Sequence, residues 1–185
     1  MCRSLDIRQY KFSKGEPLLI DTCVWLYLFG PLSSPDWRAD VYSKAYQRML
    51  SIQCDIRTDV IVIAEYINRY AKLEFRYQER SGYSDFDLYK KSDDFKARAG
   101  GIVTTVTRIS GRTNKHPFNF DNIDLPSLLT AYRDTHPDFN DLLLWKLCDY
   151  HDMKLVTHDA GFASFDIDVL TANRTLLQLG PKSGP

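Results

Sequence analysis

Short apolar runs alternate with longer amphipathic stretches along the chain. Leu18-Leu19-Ile20, closed by Asp21, predicts a buried strand over 17–21, and Thr22 is placed to start a helix after it. Residues 33–36 (SSPD) mark a break. Beyond it, Trp37, Val41, Ala45, Met49 and Ile52 recur at helical spacing over 36–52. Asp55-Ile56-Arg57 reads as a second short strand. Val60-Ile61-Val62-Ile63 is β-branched and would suit a strand. Thr58 or Asp59 is a good N-cap, however, and residues 64–70 continue at helical period, so a buried helix running to about residue 78 is expected.

Residues 79–100 predict a further helical segment packed through Tyr83, Phe86, Tyr89 and Phe95 and ended by Gly100-Gly101. Residues 111–122 read as loop with a strand near 118–120. Residues 126–133 and 140–151 read as helices. Residues 154–157 form a strand, Gly161-Phe162 a turn, 167–170 a last strand, and 178–185 a frayed end. Strands alternating with helices imply a single α/β domain over 1–185 with a mostly parallel central sheet flanked by helices. Its core spans about 17–171, with a helical insertion at about 79–124.

Composition narrows the class. The 185 residues suit one domain with a substantial core. Lys plus Arg and Asp plus Glu number 24 each, so the chain is no polybasic binder of nucleic acid held by charge alone. Residues 1–15 are polar, without the apolar core of a secretory signal, and the apolar stretch 18–32 is too short to span a bilayer and contains Asp21. Cys2, Cys23, Cys54 and Cys148 show no Cys-x-x-Cys spacing. No membrane, a cytoplasmic location and reduced thiols are the expectations.

Four acids stand against this apolar background. Asp21 and Asp159 end apolar runs, Glu65 lies inside one, and Asp141 opens another. Carboxylates beside buried strands need compensation, and a hard divalent cation compensates through oxygen ligands. In a parallel sheet, sites form beyond the carboxyl ends of strands, where Asp21 and Asp159 both fall. Each acid also has a plain alternative. Asp21 could cap the following helix, Glu65 could pair with Arg69 at i, i+4, Asp141 could be a first-turn helix acid, and Asp159 a turn residue.

In order along the chain, residues 18–28 (LLIDTCVWLYL), 64–69 (AEYINR), 137–145 (PDFNDLLLW) and 154–162 (KLVTHDAGF) resemble the four acidic motifs of PIN-domain nucleases, a group that includes VapC-type toxins. The resemblance covers residues 17–171 and implies a PIN-like fold. It also implies endonucleolytic hydrolysis, mostly of RNA, with Mg²⁺ or Mn²⁺ as cofactor. Carried residue by residue, Asp21, Glu65, Asp141 and Asp159 become the catalytic, metal-binding set. Thr157 becomes the hydroxyl beside the metal, Thr22 a weaker one, and Asp138 a further ligand or outer acid. RNA is then the substrate, with an antitoxin protein as partner if the chain is a toxin, and a homodimer as a further assembly. The segment 79–124 is longer than in a compact toxin of this type.

His158 adjoins Asp159 but is read as structural. Aromatic residues within 66–89 are read mainly as core, with base stacking as the alternative. Arg69, Arg76, Arg112, Lys115 and Arg174 are candidate phosphate contacts or ordinary solvated charges. A catalytically idle PIN-like scaffold is the competing reading. A haloacid dehalogenase-type phosphatase would need an acid two residues after Asp21, where Cys23 stands, and a phospho-receiver would need acidic neighbours that are absent.

Overall fold

The computed structural model describes residues 2–31, 36–78, 82–115, 120–135 and 137–179. Six strands form one all-parallel sheet in the order β1-β6-β5-β2-β3-β4. They are β1 Arg3–Asp6, β2 Pro17–Ile20, β3 Asp55–Thr58, β4 Asn114–Lys115, β5 Lys154–Val156 and β6 Asp168–Thr171. The helices are α1 Thr22–Phe29, α2 Trp37–Ile52, α3 Val60–Gln78, α4 Phe86–Lys90, α5 Asp93–Arg112, α6 Leu125–Thr135, α7 Phe139–Tyr150 and α8 Arg174–Leu179. Because every strand runs the same way, β2, β3, β5 and β6 all deliver their carboxyl ends to one edge.

The central strands are apolar on both faces, as a sheet covered by helices on each side requires. Leu18, Leu19, Ile20, Leu155, Val156, Val169 and Leu170 are all buried. Helix α1 packs between α2 and α3, α3 also meets α4 and α5, α6 lies on α7, and α8 flanks β1. The β-branched run at 60–63 is helical. Asp59 accepts a hydrogen bond from the Ile61 amide at 2.9 Å and starts α3, so the cap and the packing of Val62 and Tyr66 outweigh local strand propensity.

Four expectations are corrected. Gly100-Gly101 does not end a helix: α5 runs through both to Arg112. Ser92 caps it through the Phe95 amide, Ile102 and Ile109 are buried along it, and Thr104 and Thr105 bond back to the two glycine carbonyls at 2.9 Å. Each glycine costs a helix about 1 kcal/mol, which burial of two isoleucines offsets. Within 82–100 the chain forms a separate helix, α4, before α5 starts, and 79–81 lie outside the described residues. The strand expected near 118–120 falls partly on residues 118 and 119, outside the described residues, while Phe120 belongs to a 3-10 turn (Phe120–Asn122). The strand that follows α5 is β4, bonded to the edge of β3. Of the end expected to fray, residues 178 and 179 belong to α8, and 180–185 lie outside the described residues.

Two elements were not anticipated. β1 has no apolar run to announce it, since it is Arg-Ser-Leu-Asp on a sheet edge and pairs Leu5 with Leu170. α8 is short and buries Leu176 alone.

Candidate functional site

The acidic centre is built where β2 meets β5. The Asp21 amide donates to the Val156 carbonyl at 3.0 Å, which extends the β2–β5 ladder one residue past the end of β2. That register sets Asp21 beside Thr157. Asp21 then stands at the N-cap position of α1 but makes no side-chain capping bond. Its Oδ2 instead accepts from the Thr157 hydroxyl at 2.5 Å and from the Cys23 thiol at 3.0 Å. The plain capping role therefore does not account for Asp21. Both Asp21 and Thr157 are buried, and burial raises the Asp21 pKa above the ordinary carboxylate value. The two hydrogen bonds pull it down and Asp159 pushes it up.

Asp159 lies two residues beyond Thr157. Its amide donates to the Thr157 hydroxyl at 3.0 Å, so one threonine holds both acid segments. The Asp159 side chain accepts from the Gly161 amide at 2.8 Å and caps a 3-10 turn, Ala160–Ser164, as its turn reading anticipated. Gly161 matters here: a Cβ added to it would meet Asp141 Oδ2 at 3.2 Å and Asp159 Oδ1 at 3.3 Å. The two carboxylates thus lie over the same bare backbone position.

Asp141 comes in on α7, whose N-terminus faces this edge because the helix runs antiparallel to the β5 strand that follows it. Asp138 caps α7 through the Asn140 amide at 2.8 Å, leaving Asp141 in the first turn. The carboxyl of Asp141 is pushed up to about 7, first by burial and then by the charges of Asp159, Asp21, Asp138 and Glu65. All four predicted acids, with Asp138, therefore share one electrostatic neighbourhood.

Glu65 reaches the centre from the second turn of α3. Its Oε2 accepts from the Thr22 hydroxyl at 3.2 Å, and its Oε1 pairs with Arg69 at 3.0 Å. The i, i+4 pair of the plain reading forms, yet burial still raises the Glu65 pKa, with Asp21 adding to the rise. Arg69, Lys72 and Arg76 continue from here along α3, and with Leu26 and Leu73 they line a cleft of about 290 Å³.

Among the described residues, no group of three or more His, Cys, Asp and Glu side chains stands in the geometry of a bound ion. The donor set itself is all oxygen from Asp21, Glu65, Asp141 and Asp159, which suits a hard divalent cation in kind. Asp21, Asp159 and Glu65 are engaged locally, with Glu65 turned towards Arg69 and Thr22.

Sequence reasoning missed Cys23, whose thiol donates to Asp21 and whose Sγ accepts from the His158 amide at 3.4 Å. Burial, then the Asp21 charge, drives this thiol well above its ordinary pKa. Its position two residues after Asp21 in the first turn of α1 was the available signal. The aromatics of 66–89 are largely structural: Tyr66 and Tyr89 are buried, and Phe75, Tyr83 and Phe86 pack around Tyr89 with Phe95.

The molecule is an α/β domain with its acids gathered at the carboxyl edge of a parallel sheet. The PIN domain family model matches residues 18–168, so the chain belongs to the PIN domain family, whose members are usually nucleases. No curated protein matches the chain. Among the described residues no helix is long and apolar enough to cross a membrane.

Proposed function

We propose that the protein is a metal-dependent endoribonuclease acting in the cytoplasm. The observation that carries this reading is Asp141. A first-turn carboxyl pushed to about 7 by burial and four neighbouring acids lacks a counter-charge of its own among the described residues, and a divalent cation is the simplest supply. Asp21, Asp141 and Asp159 would hold Mg²⁺ or Mn²⁺, with Glu65 completing the set on leaving Arg69. Bound there, the ion lowers the pKa of a water for attack on phosphorus and offsets charge on the phosphodiester. Thr157 and Cys23 hold Asp21 through Oδ2, which would orient its carboxylate towards the ion. Thr22 orients Glu65, and Asp138 tunes Asp141 from the helix start. Arg69, freed from Glu65, is placed to meet a phosphate.

The experiment is cleavage of a mixed RNA pool by wild type and Asp21→Asn, in Mn²⁺ and in EDTA. Wild type should cleave only with metal, and Asp21→Asn should be at least ~100-fold slower, the scale for losing a preorganised electrostatic contact in the transition state. Equal rates from a folded variant would refute the assignment.

The ordered resemblance of four motifs to VapC-type nucleases supports a narrower reading, the toxin of a toxin–antitoxin pair that dimerises. A small partner gene beside its own would favour that reading. Residues 79–124 are proposed to shape one wall of the substrate groove or a partner interface. Deleting 82–99 with activity, specificity and assembly unchanged would remove the idea. The Glu65–Arg69 pair favours a second reading, a catalytically idle scaffold for RNA or protein. Absence of Mn²⁺ binding in a calorimetric titration would select it.

A further inference from the structure

One wall of the acidic centre is aromatic, and its outermost ring is exposed. Helix α2 runs from the carboxyl edge of the sheet towards the start of β3, so its first residue, Trp37, lies on the same edge as Asp21 and Asp159. Trp37 leaves 56% of its surface to solvent, although it is among the largest apolar side chains in the protein. It leans on the His158 ring, with centroids 5.6 Å apart and planes at 70°. His158 directly precedes Asp159.

That support is rigid. His158 Nδ1 hydrogen-bonds the Tyr42 hydroxyl at 3.0 Å, and its carbonyl accepts from the Asn173 side chain at 2.7 Å. Tyr27 and Tyr42 both meet the same imidazole edge-to-face and stack on one another. The Arg38 guanidinium sits 4.7 Å from the centre of the Tyr27 ring, and it bonds the Tyr27 hydroxyl and Asp36. The His158 amide donates to the Cys23 sulfur at 3.4 Å, and the Cys23 thiol donates to Asp21 at 3.0 Å, which ties the wall to the acid cluster. The core gains little from an indole held half outside. A nucleobase next to the phosphate under attack would gain a stacking surface.

We infer that Trp37, braced by His158 and Tyr27, is a nucleobase platform that receives a base of single-stranded RNA adjacent to the acidic centre. The inference rests on the ribonuclease reading above. It assigns a stacking surface, tolerant of base identity because every base has a π-face. Arg69 and Arg38 would serve the flanking backbone.

The test compares wild type, Trp37→Ala and Trp37→Phe as full-length proteins in EDTA. The probes are labelled oligo(rA) and oligo(rU) of about eight nucleotides and a fully abasic strand of equal length, a span one stacking platform and its flanks can cover. Trp37→Ala should weaken both base-bearing strands by at least ~5-fold and leave the abasic strand unchanged, while Trp37→Phe stays within about threefold of wild type. Indole fluorescence supplies a second readout. Trp25 is buried and Trp145 stacks on Phe165, so base-dependent quenching should come from Trp37 and vanish in both variants. If Trp37→Ala binds base-bearing strands as wild type does, or weakens the abasic strand equally, the platform is overturned and the nuclease reading stands. If wild type binds none of the strands and cleaves no RNA in Mn²⁺, both fall together.

Discussion

At the residue scale, Asp141 ties the site to stability. Its folded pKa of about 7 lies above the ordinary 3.8, so folding favours the protonated form. The stability this contributes is fully present below pH 3.8 and is lost as pH rises through about 7. Asp141→Asn should therefore raise the melting midpoint in EDTA at pH 8 and leave it nearly unchanged near pH 4. Allowing for partial exposure, the gain is about 1–2 kcal/mol. Parallel melting curves for the two proteins across that range would sink the assignment. Thr157 should behave oppositely. Thr157→Val removes a hydroxyl that serves Asp21 and the Asp159 amide, and should destabilise by about 1–3 kcal/mol in urea titrations. In Asp21→Asn the same substitution should be less damaging, a non-additivity that a double-mutant cycle measures. The acids stood out in the sequence because each ends, opens or lies within an apolar run. Cys23 did not, since a thiol in an apolar helix looks like core, and its spacing two residues after Asp21 was the one local signal of the contact.

At the element scale, long periodic segments were readable and the short or interrupted ones were not. α2, α3 and α7 carry enough apolar repeats to declare themselves. β1 and α8 bury too little to leave a pattern, and β4 is two residues long. α5 hides behind the Gly100-Gly101 pair, which weakens the local helical signal although burial of Ile102 and Ile109 sustains the helix. A Cβ at Gly100 would meet nothing within 4 Å. Gly100→Ala should then stabilise the protein by about 0.5–1 kcal/mol, read from the denaturation midpoint, by lowering the entropy of the unfolded chain. A neutral or destabilising result would mean that α5 is not continuous there.

At the scale of the whole molecule, every acid of the centre sits on one edge, so the sites of charge repulsion and of proposed ion binding coincide. Mn²⁺ should raise the melting midpoint of wild type, and Asp21→Asn and Asp141→Asn should flatten that rise, since only the folded chain gathers the ligands. A midpoint indifferent to metal would remove the cation from the account. The strand order also had no counterpart in the sequence. Alternating strands and helices announce a parallel sheet, but nothing local says that β1 will lie next to β6.

That adjacency sets a timetable for the chain's birth. A ribosome releases β1 well before β6, the strand it pairs with in the sheet. Asp21 likewise emerges long before Val156 and Thr157, the partners that fix its place. Contacts so distant along the chain form slowly and only when the later segment is free to reach back. The nascent protein therefore carries its first acid motif as an unassembled piece until Val156 and Thr157 emerge, and the acidic centre closes only once β5 is free of the ribosome.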